Sequence, residues 1–468
     1  MTAATTPQPG EIDHPLDDLL AEQQAYFDSG ITRTYEFRVQ QLRALKAAVK
    51  ENEERILKAL HVDLRKPAYE AFITEVGFLY AEINHVLKHL AGWMKPRRVG
   101  TPLQMLPGRS AIHSEPRGRV LIIGAWNYPF QLILAPLVGA IAAGNVAVLK
   151  PSELAPATVA VLSDLISKTF PHKYVAVVEG GVQTSQALLA RRWDYIFFTG
   201  GANVGRVVAR AAAECLTPIT LELGGKSPCI IAADADLDLA ARRIVWGKFL
   251  NAGQTCVAPD YLLVHHSVRD RLLTRMVDQI RAAYGDDPAQ SPDYTRIINE
   301  RHFDRLVALL PGANIVTGGR FDRGTRYIEP SIIEGISLDH PAMADEIFGP
   351  ILPVLTFHAF EEAMEMIRER PNPLALYLFT RSRETEAQVI REVPFGGGCI
   401  NDTLMHLSNP DLPFGGVGGS GMGAYHGRYS FDTFSHQKSV VRSSGWFDPK
   451  LRYQPYAGKL DLIRRFFK

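Results

Sequence analysis

Five short apolar runs constrain this chain more than any other feature. RVLIIGA, NVAVLK, YVAVVEG, YIFFTG and ITLELGG follow one another from Arg119 to Gly225. They are rich in β-branched residues and almost uninterrupted in apolarity, as strands covered on both faces must be. Segments of helical length separate them, including LAPATVAVLSDLISKTF and NVGRVVARAAAE. That alternation predicts an α/β chain with a doubly wound parallel sheet, ending near Glu222. A second alternating series runs from Pro228 to about Asn401. SPCIIAA, YLLVHH, ILPVLTF and ALYLFT read as strands, and ADLDLAARRIVWGKFLNAG, SVRDRLLTRMVDQIRAAYG and AFEEAMEMIRER as helices. This predicts a second α/β domain.

The flanks read differently. Residues 15–95 carry apolar residues at three- and four-residue spacing, as in TYEFRVQQLRALKAAVKENEERILKALHVDL, and are expected to be helical. Lys95–Pro116 is punctuated by Pro and Gly and lacks that period, which suits an extended arm or crossing strands. QKSVVRS is a plausible late strand, and the chain closes on YAGKLDLIRRFFK.

Composition narrows the class. Lys and Arg number 51 against 50 Asp and Glu in 468 residues, a net charge of +1. No general attraction to nucleic acid or anionic membrane follows. Val120–Leu149 contains no charged residue and is long enough to span a bilayer. Pro129 and Pro136 would break such a helix twice, so a strand, a turn, a buried helix and a second strand are expected instead. The opening MTAATTPQPGEIDHP has no basic-then-apolar pattern, so no secretory signal is expected. Cys215, Cys229, Cys256 and Cys399 form no C-x-x-C pair and no zinc spacing, so no metal site is expected and a reducing cytoplasm is the default.

Three glycine-rich segments compete for attention. Gly416–Gly421 spells G-x-G-x-x-G but follows no buried strand, so a turning loop is the better reading. Gly225-Lys226-Ser227 resembles a P-loop end, yet Thr220 stands where that motif needs glycine. Gly200–Gly205 follows the strand YIFFT and opens a helical segment, a context in which backbone N–H groups can meet a phosphate. Cys256, in NAGQTCVAP, sits in a loop among small and polar neighbours. That favours a reactive thiol, although buried cysteines are most often small hydrophobes. Glu222 ends an apolar strand at the mouth of a parallel sheet, as an active-site acid or as a paired structural one. Asn127, in GAWNYP, is placed either to donate to an oxyanion or to hold its turn.

Together these segments resemble the aldehyde dehydrogenase superfamily. AWNYPF, GNVAVLKPSE, FFTGGANVG, LELGGKSP, NAGQTC, EIFGP and PFGGVGGSGMGAYHG stand in family order over nearly the whole chain. Glu222 and Cys256 lie 34 positions apart, as the family's catalytic pair does. KPSEL, MADEIFGP and SGMGAYHGRYSFDTFSH look most like the class 3 branch, which includes fatty-aldehyde and coniferyl-aldehyde dehydrogenases.

The resemblance implies a Rossmann-like cofactor-binding domain (1–98 and 118–222) and a catalytic domain (223–412). It also implies a small β oligomerisation arm (99–117 and 430–450), a C-terminal tail (451–468) and a homodimer. It makes Cys256 the nucleophile, Asn127 an oxyanion donor and Glu222 the base that activates water. Lys150, Glu153, Gly200, Gly205, Glu346, Phe348 and Trp126 are expected around the coenzyme. Ala202 replaces a Thr or Ser of many relatives, so one helix-start hydroxyl is missing. Glu153 would repel a 2′-phosphate, which favours NAD, although class 3 relatives often use NADP as well. Tyr128, Leu132, Ala135, Met405, His406 and Leu407 are expected along the substrate tunnel. The set is mainly apolar, so medium- or long-chain or aromatic aldehydes are expected over semialdehydes. The tail is too short and charged to span a membrane; docking onto the protein is favoured over weak contact with a membrane surface or a role at the tunnel entrance. Three alternatives remain: a cysteine hydrolase or esterase, a CoA-acylating dehydrogenase and a non-catalytic scaffold.

Overall fold

The computed structural model describes residues 9–467, and side chains from 15 to 465. The first eight residues of the segment that bears on the secretory-signal expectation therefore lie outside the described residues.

The five apolar runs form one sheet in the order Ile219–Glu222, Tyr195–Thr199, Arg119–Ile123, Val146–Lys150, Val175–Val177. All of these pairings are parallel. The strand order reverses on either side of Arg119–Ile123, and crevices for ligands open at such switch points. Gly421–Met422 adds a short antiparallel strand beside Leu221–Glu222. Thus Gly416–Gly421 is a bracing loop of the first sheet. Gly421 has φ +144°, and a Cβ there would strike the Leu221 carbonyl oxygen.

The second series forms a seven-stranded sheet. Its strands run Asn314–Thr317, Ser331–Glu334, Ile351–Phe357, Tyr261–His265, Pro228–Ile231, Ala375–Phe379 and Gly397–Ile400. Only the Asn314–Thr317 edge is antiparallel. The sequence pattern missed the Asn314–Thr317, Ser331–Glu334 and Gly397–Ile400 strands, which are short and carry Asn, Glu or Gly. Arg97–Val99, Arg109–Pro116 and Ser435–Arg442 form a separate antiparallel sheet, and Ser435–Arg442 is exposed beyond its first residue.

Val120–Leu149 resolves as expected into a strand, a turn, the helix Gln131–Ala143 and a second strand. Every residue of that helix is buried, and Pro136 lies within it. Among the described residues no helix is long and apolar enough to cross a membrane. The helices Tyr35–Glu51, Glu53–Leu64 and Gly77–Trp93 turn apolar faces, including Leu42, Leu60 and Ile83, toward the helices Gln131–Ala143 and Pro156–Thr169 that cover the first sheet. The C-terminal helix Leu460–Phe467 departs from the docked expectation. Leu460 and Leu462 are exposed, and Ile463 is half-buried.

Asn145 ties the arm to the first sheet. Its Oδ1 accepts from the Gly118 N–H at 2.9 Å, and its Nδ2 donates to the carbonyls of Ala140 at 3.2 Å and Phe434 at 2.9 Å. It is 1% exposed, so no water replaces these bonds. Asn145→Ala is expected to destabilise the protein by about 2–3 kcal/mol, as stranded buried polar groups do. Urea unfolding checks this, and a loss below about 0.5 kcal/mol would contradict it.

Candidate active site

Two hollows meet at Cys256. One is a cavity of about 290 Å³ with walls that include Tyr128, Leu132, Trp246, Leu250, Met405 and Phe414. The other is a cleft of about 400 Å³ bordered by Trp126, Asn127, Gly200, Glu222, Glu346 and Phe348. Cys256 and Leu132 belong to both. The thiol therefore sits between an apolar chamber and a polar one.

The loop that delivers Cys256 is strained. Asn251 and Ala252 take φ values of 52° and 51°, rare for residues with a Cβ. Hydrogen bonds hold them there. Asn251 Nδ2 donates to the carbonyls of Asn127 at 2.9 Å and Gln254 at 3.1 Å, and its N–H donates to Glu70 at 2.9 Å. Asn127 Nδ2 donates to the Gln254 carbonyl at 3.1 Å, which leaves its second N–H for another acceptor. Tyr128 and Thr255 share a hydroxyl hydrogen bond of 2.5 Å, one residue from each of these groups. The Asn127 turn and the Cys256 loop are thus one cross-linked unit.

The electrostatics of the site follow from its dryness. The Cys256 thiol is pushed up to about 12, first by burial and then by the carboxylates of Glu346 and Glu222. Glu222 is 3% exposed, and neither of its oxygens has a hydrogen-bond partner. Burial alone holds its carboxyl well above the usual range. Among the described residues no histidine nitrogen bonds to the Cys256 thiol, and none of them forms a cluster able to hold a metal.

The cleft fits a dinucleotide. Helix Ala202–Glu214 begins beside it, so its free N–H groups face the hollow. Gly205 packs on Leu223, whose side chain a Cβ would meet at 2.7 Å. A Cβ on Gly224 would collide with Glu346 Oε2, so glycine there lets this carboxylate border the cleft. Trp126 meets Phe348 edge-on at 5.3 Å and His302 at 4.9 Å, an aromatic wall of the kind a flat ring packs against. Lys150 and Glu153 lie apart from this wall, at and just beyond the end of strand Val146–Lys150. The Lys150 ammonium donates to Pro151 O at 2.7 Å and lies 3.4 Å from Glu153. Burial lowers the Lys150 pKa.

Two tunnel residues are corrected. Ala135 is 1% exposed and belongs to the hydrophobic core; it lies one turn too deep in its helix to reach the cavity. His406 points away from the cavity. Its Nδ1 lies 3.6 Å from Cys399 Sγ and its ring stacks on Phe414, while Met405 and Leu407 on either side line the wall. Burial lowers His406 to about 4. The sequence reading missed Ile73, Phe78, Trp246 and His426 as wall residues. They come from three distant segments, and only His426 lay in a motif already singled out. Lys226 also gains a role: it pairs with Asp260 at 2.5 Å and donates to the Ala342 carbonyl at 2.7 Å, as a buried strut and not a phosphate ligand.

The aldehyde dehydrogenase family profile matches residues 16–440. The chain is 50% identical to 4,4′-diaponeurosporen-aldehyde dehydrogenase of Staphylococcus aureus, over 97% of this chain and 99% of that one. It is 47% identical to aldehyde dehydrogenase family 3 member H1 of Arabidopsis thaliana, over 96% and 94%. The solved substrate-bound state of Staphylococcus aureus AldH superposes with a TM-score of 0.95 at 49% identity, covering 97% of this chain and 99% of that one. With a thiol set between an apolar chamber and a dinucleotide cleft, and with this likeness along almost its whole length, the chain belongs to the aldehyde dehydrogenase family, on its class 3 side, and is an NAD(P)-dependent aldehyde dehydrogenase.

Proposed function

We propose that Cys256, Glu222 and Asn127 carry the oxidation of apolar aldehydes to carboxylic acids. The observation that supports it best is the position of Cys256 at the junction of the apolar cavity and the polar cleft. The Cys256 thiolate adds to the aldehyde carbon, a C–S bond forms and the carbonyl π pair moves to oxygen. The free Asn127 N–H and the Cys256 backbone N–H stabilise that oxyanion. Glu346, Phe348, Trp126 and the turn from Gly200 to Gly205 would hold the nicotinamide coenzyme, which would supply the hydride acceptor. Oxidation leaves a thioester on Cys256. Glu222 then takes a proton from water, the water oxygen bonds the acyl carbon, and the C–S bond breaks to return the thiolate. Aldehyde, NAD(P)⁺ and water become acid, NAD(P)H and one proton.

Removal of Cys256 separates this reading from a scaffold. Cys256→Ala is expected to abolish aldehyde-dependent NADH formation. Glu222→Gln should retain a burst near one NADH per site and lose about 100-fold in steady-state rate, because water activation is removed and acylation is not. A Glu222→Gln enzyme with the wild-type steady state would sink the assignment.

The raised thiol pKa fixes a pH dependence. The thiolate is the reactive form, so in the free enzyme alkylation of Cys256 by iodoacetamide should accelerate about tenfold per pH unit from pH 7 to 9. A plateau below pH 8 would show the thiol already ionised, against the burial described.

The cavity wall carries no Lys or Arg to bind a substrate carboxylate. Decanal and aromatic enals are therefore expected to exceed succinic semialdehyde in kcat/KM. Glu153, beside Lys150, would accept from a ribose hydroxyl and repel a 2′-phosphate, so NAD is expected to exceed NADP in the same assays. A semialdehyde at the top of the ranking, or equal efficiency with both coenzymes, would reject the respective half. A homodimer built through the arm fits the exposed edge of Ser435–Arg442, whose ladder groups lack partners on one side. Four free thiols suit a cytoplasmic setting.

A further inference from the structure

A fully buried ion pair stands behind the Asn127 turn, and the chemistry above does not use it. Lys66 and Glu75 are both 0% exposed at the side chain and meet at 2.6 Å. They come from the N-terminal helical region, where the sequence offered no chemistry. Burying two charges costs several kcal/mol per ion before their attraction is counted. An apolar pair of similar volume would often hold the fold as well, so the other bonds these charges make are informative.

Those bonds all converge on one turn. Lys66 Nζ donates to the Asn127 carbonyl at 3.2 Å. Glu75 Oε2 accepts from the N–H groups of Phe130 at 2.9 Å and Gln131 at 3.2 Å. The cation grips the carbonyl where the turn begins, and the carboxylate grips the N–H groups where helix Gln131–Ala143 begins. Lys66 Nζ also lies 4.3 Å from the centre of the Tyr128 ring, between those two grips. The Asn127 carbonyl accepts a second bond from Asn251 of the Cys256 loop. The pair therefore holds the turn at Asn127 and again at Phe130 and Gln131, and through the Asn127 carbonyl it shares an acceptor with the Cys256 loop.

We propose that Lys66 and Glu75 form a positioning pair that fixes the Asn127 side chain relative to Cys256, and so sets kcat without touching substrate or coenzyme. An oxyanion donor works only if it is already aimed where the negative charge develops. A turn clamped at both ends by a low-dielectric ion pair keeps that aim without reorganisation. The proposal rests on the oxyanion role of Asn127, and aldehyde oxidation by the wild type in the same assay tests that activity separately.

The experiment is a mutant cycle in the full-length enzyme. Glu75→Gln leaves Lys66 unpaired. Glu75→Asp keeps the charge balanced but withdraws the carboxylate by one methylene, and carries the test if Glu75→Gln does not fold. Each is made alone and with Asn127→Ala, with far-UV circular dichroism to verify folding. In the Asn127 background a drop in kcat of about tenfold or more is expected, with aldehyde KM and the NADH Kd from fluorescence titration within about twofold of wild type. In the Asn127→Ala background the same changes should cost almost nothing more, because the group they position is gone. Unchanged kcat in a folded variant would overturn the proposal. So would an equal fold-loss with and without Asn127, or NADH binding that weakens in parallel with kcat, since each is the mark of a merely structural pair.

Discussion

The contact on which this site depends is the seating of the glycine-rich loop Pro413–Gly423 between the two sheets. Gly421 pairs with Glu222 as an added strand, and Ser420 accepts from the Leu223 N–H at 3.1 Å. Phe414 and Tyr425 exchange backbone hydrogen bonds at 3.1 and 2.8 Å, and both rings line the apolar cavity. On the other side a Cβ on Gly396, next to the Gly397–Ile400 strand, would strike the Gly415 carbonyl. One loop thus covers Glu222, closes the apolar chamber and joins the second sheet to the first. Its glycines are needed because backbone approaches backbone on both faces.

From that seating follows the division of labour around Cys256. The side proposed to take the aldehyde is walled by aromatic and aliphatic side chains, which favour an apolar chain by removing it from water. The opposite side is walled by Glu346, glycines and a helix start, which suit phosphates and sugars. Neither hollow could serve the other ligand. In the mechanism proposed above the sulfur must reach both, because the carbon it holds would come from one and lose its hydride toward the other. A strained loop is the cost of that reach, and the bonds of Asn251 to Glu70, Asn127 and Gln254 hold it in place.

Much of this was legible in the sequence, for identifiable reasons. The parallel sheet announced itself because strands buried on both faces must be continuously apolar. Cys256, Glu222 and Asn127 stood out because each sits in a local context that its bland role does not require. The chamber wall was not legible. Ile73, Phe78 and Trp246 are ordinary residues of amphipathic helices or their neighbours, and only tertiary packing decides which hydrophobes face a hollow and which face the core. Ala135 and His406 failed for the same reason. Sequence neighbours of a wall residue share its segment, but a helix or a single 3₁₀ turn rotates them onto other faces. Lys66 and Glu75 were hidden most completely, since two charges nine positions apart in a helical region look like a solvated surface.

Two buried carboxylates of this protein stand in ion pairs and Glu222 does not, and the contrast bears on what each can do. Glu75 faces Lys66, and Asp260 faces Lys226 at 2.5 Å. The oxygens of both carboxylates are committed to fixed donors: Lys66 and two backbone N–H groups for Glu75, Lys226 and the Ile347 N–H for Asp260. Such an acid orients its neighbours. Glu222 has no cation beside it and no donor on either oxygen. Its anion is costly, so it holds a proton tightly once it has one, and a modest change in hydration alters its readiness to ionise. In the mechanism proposed above, a water molecule entering between Glu222 and an acyl group on Cys256 would supply both that hydration and the proton to be taken. The same low dielectric that makes the paired acids rigid makes the unpaired one reactive.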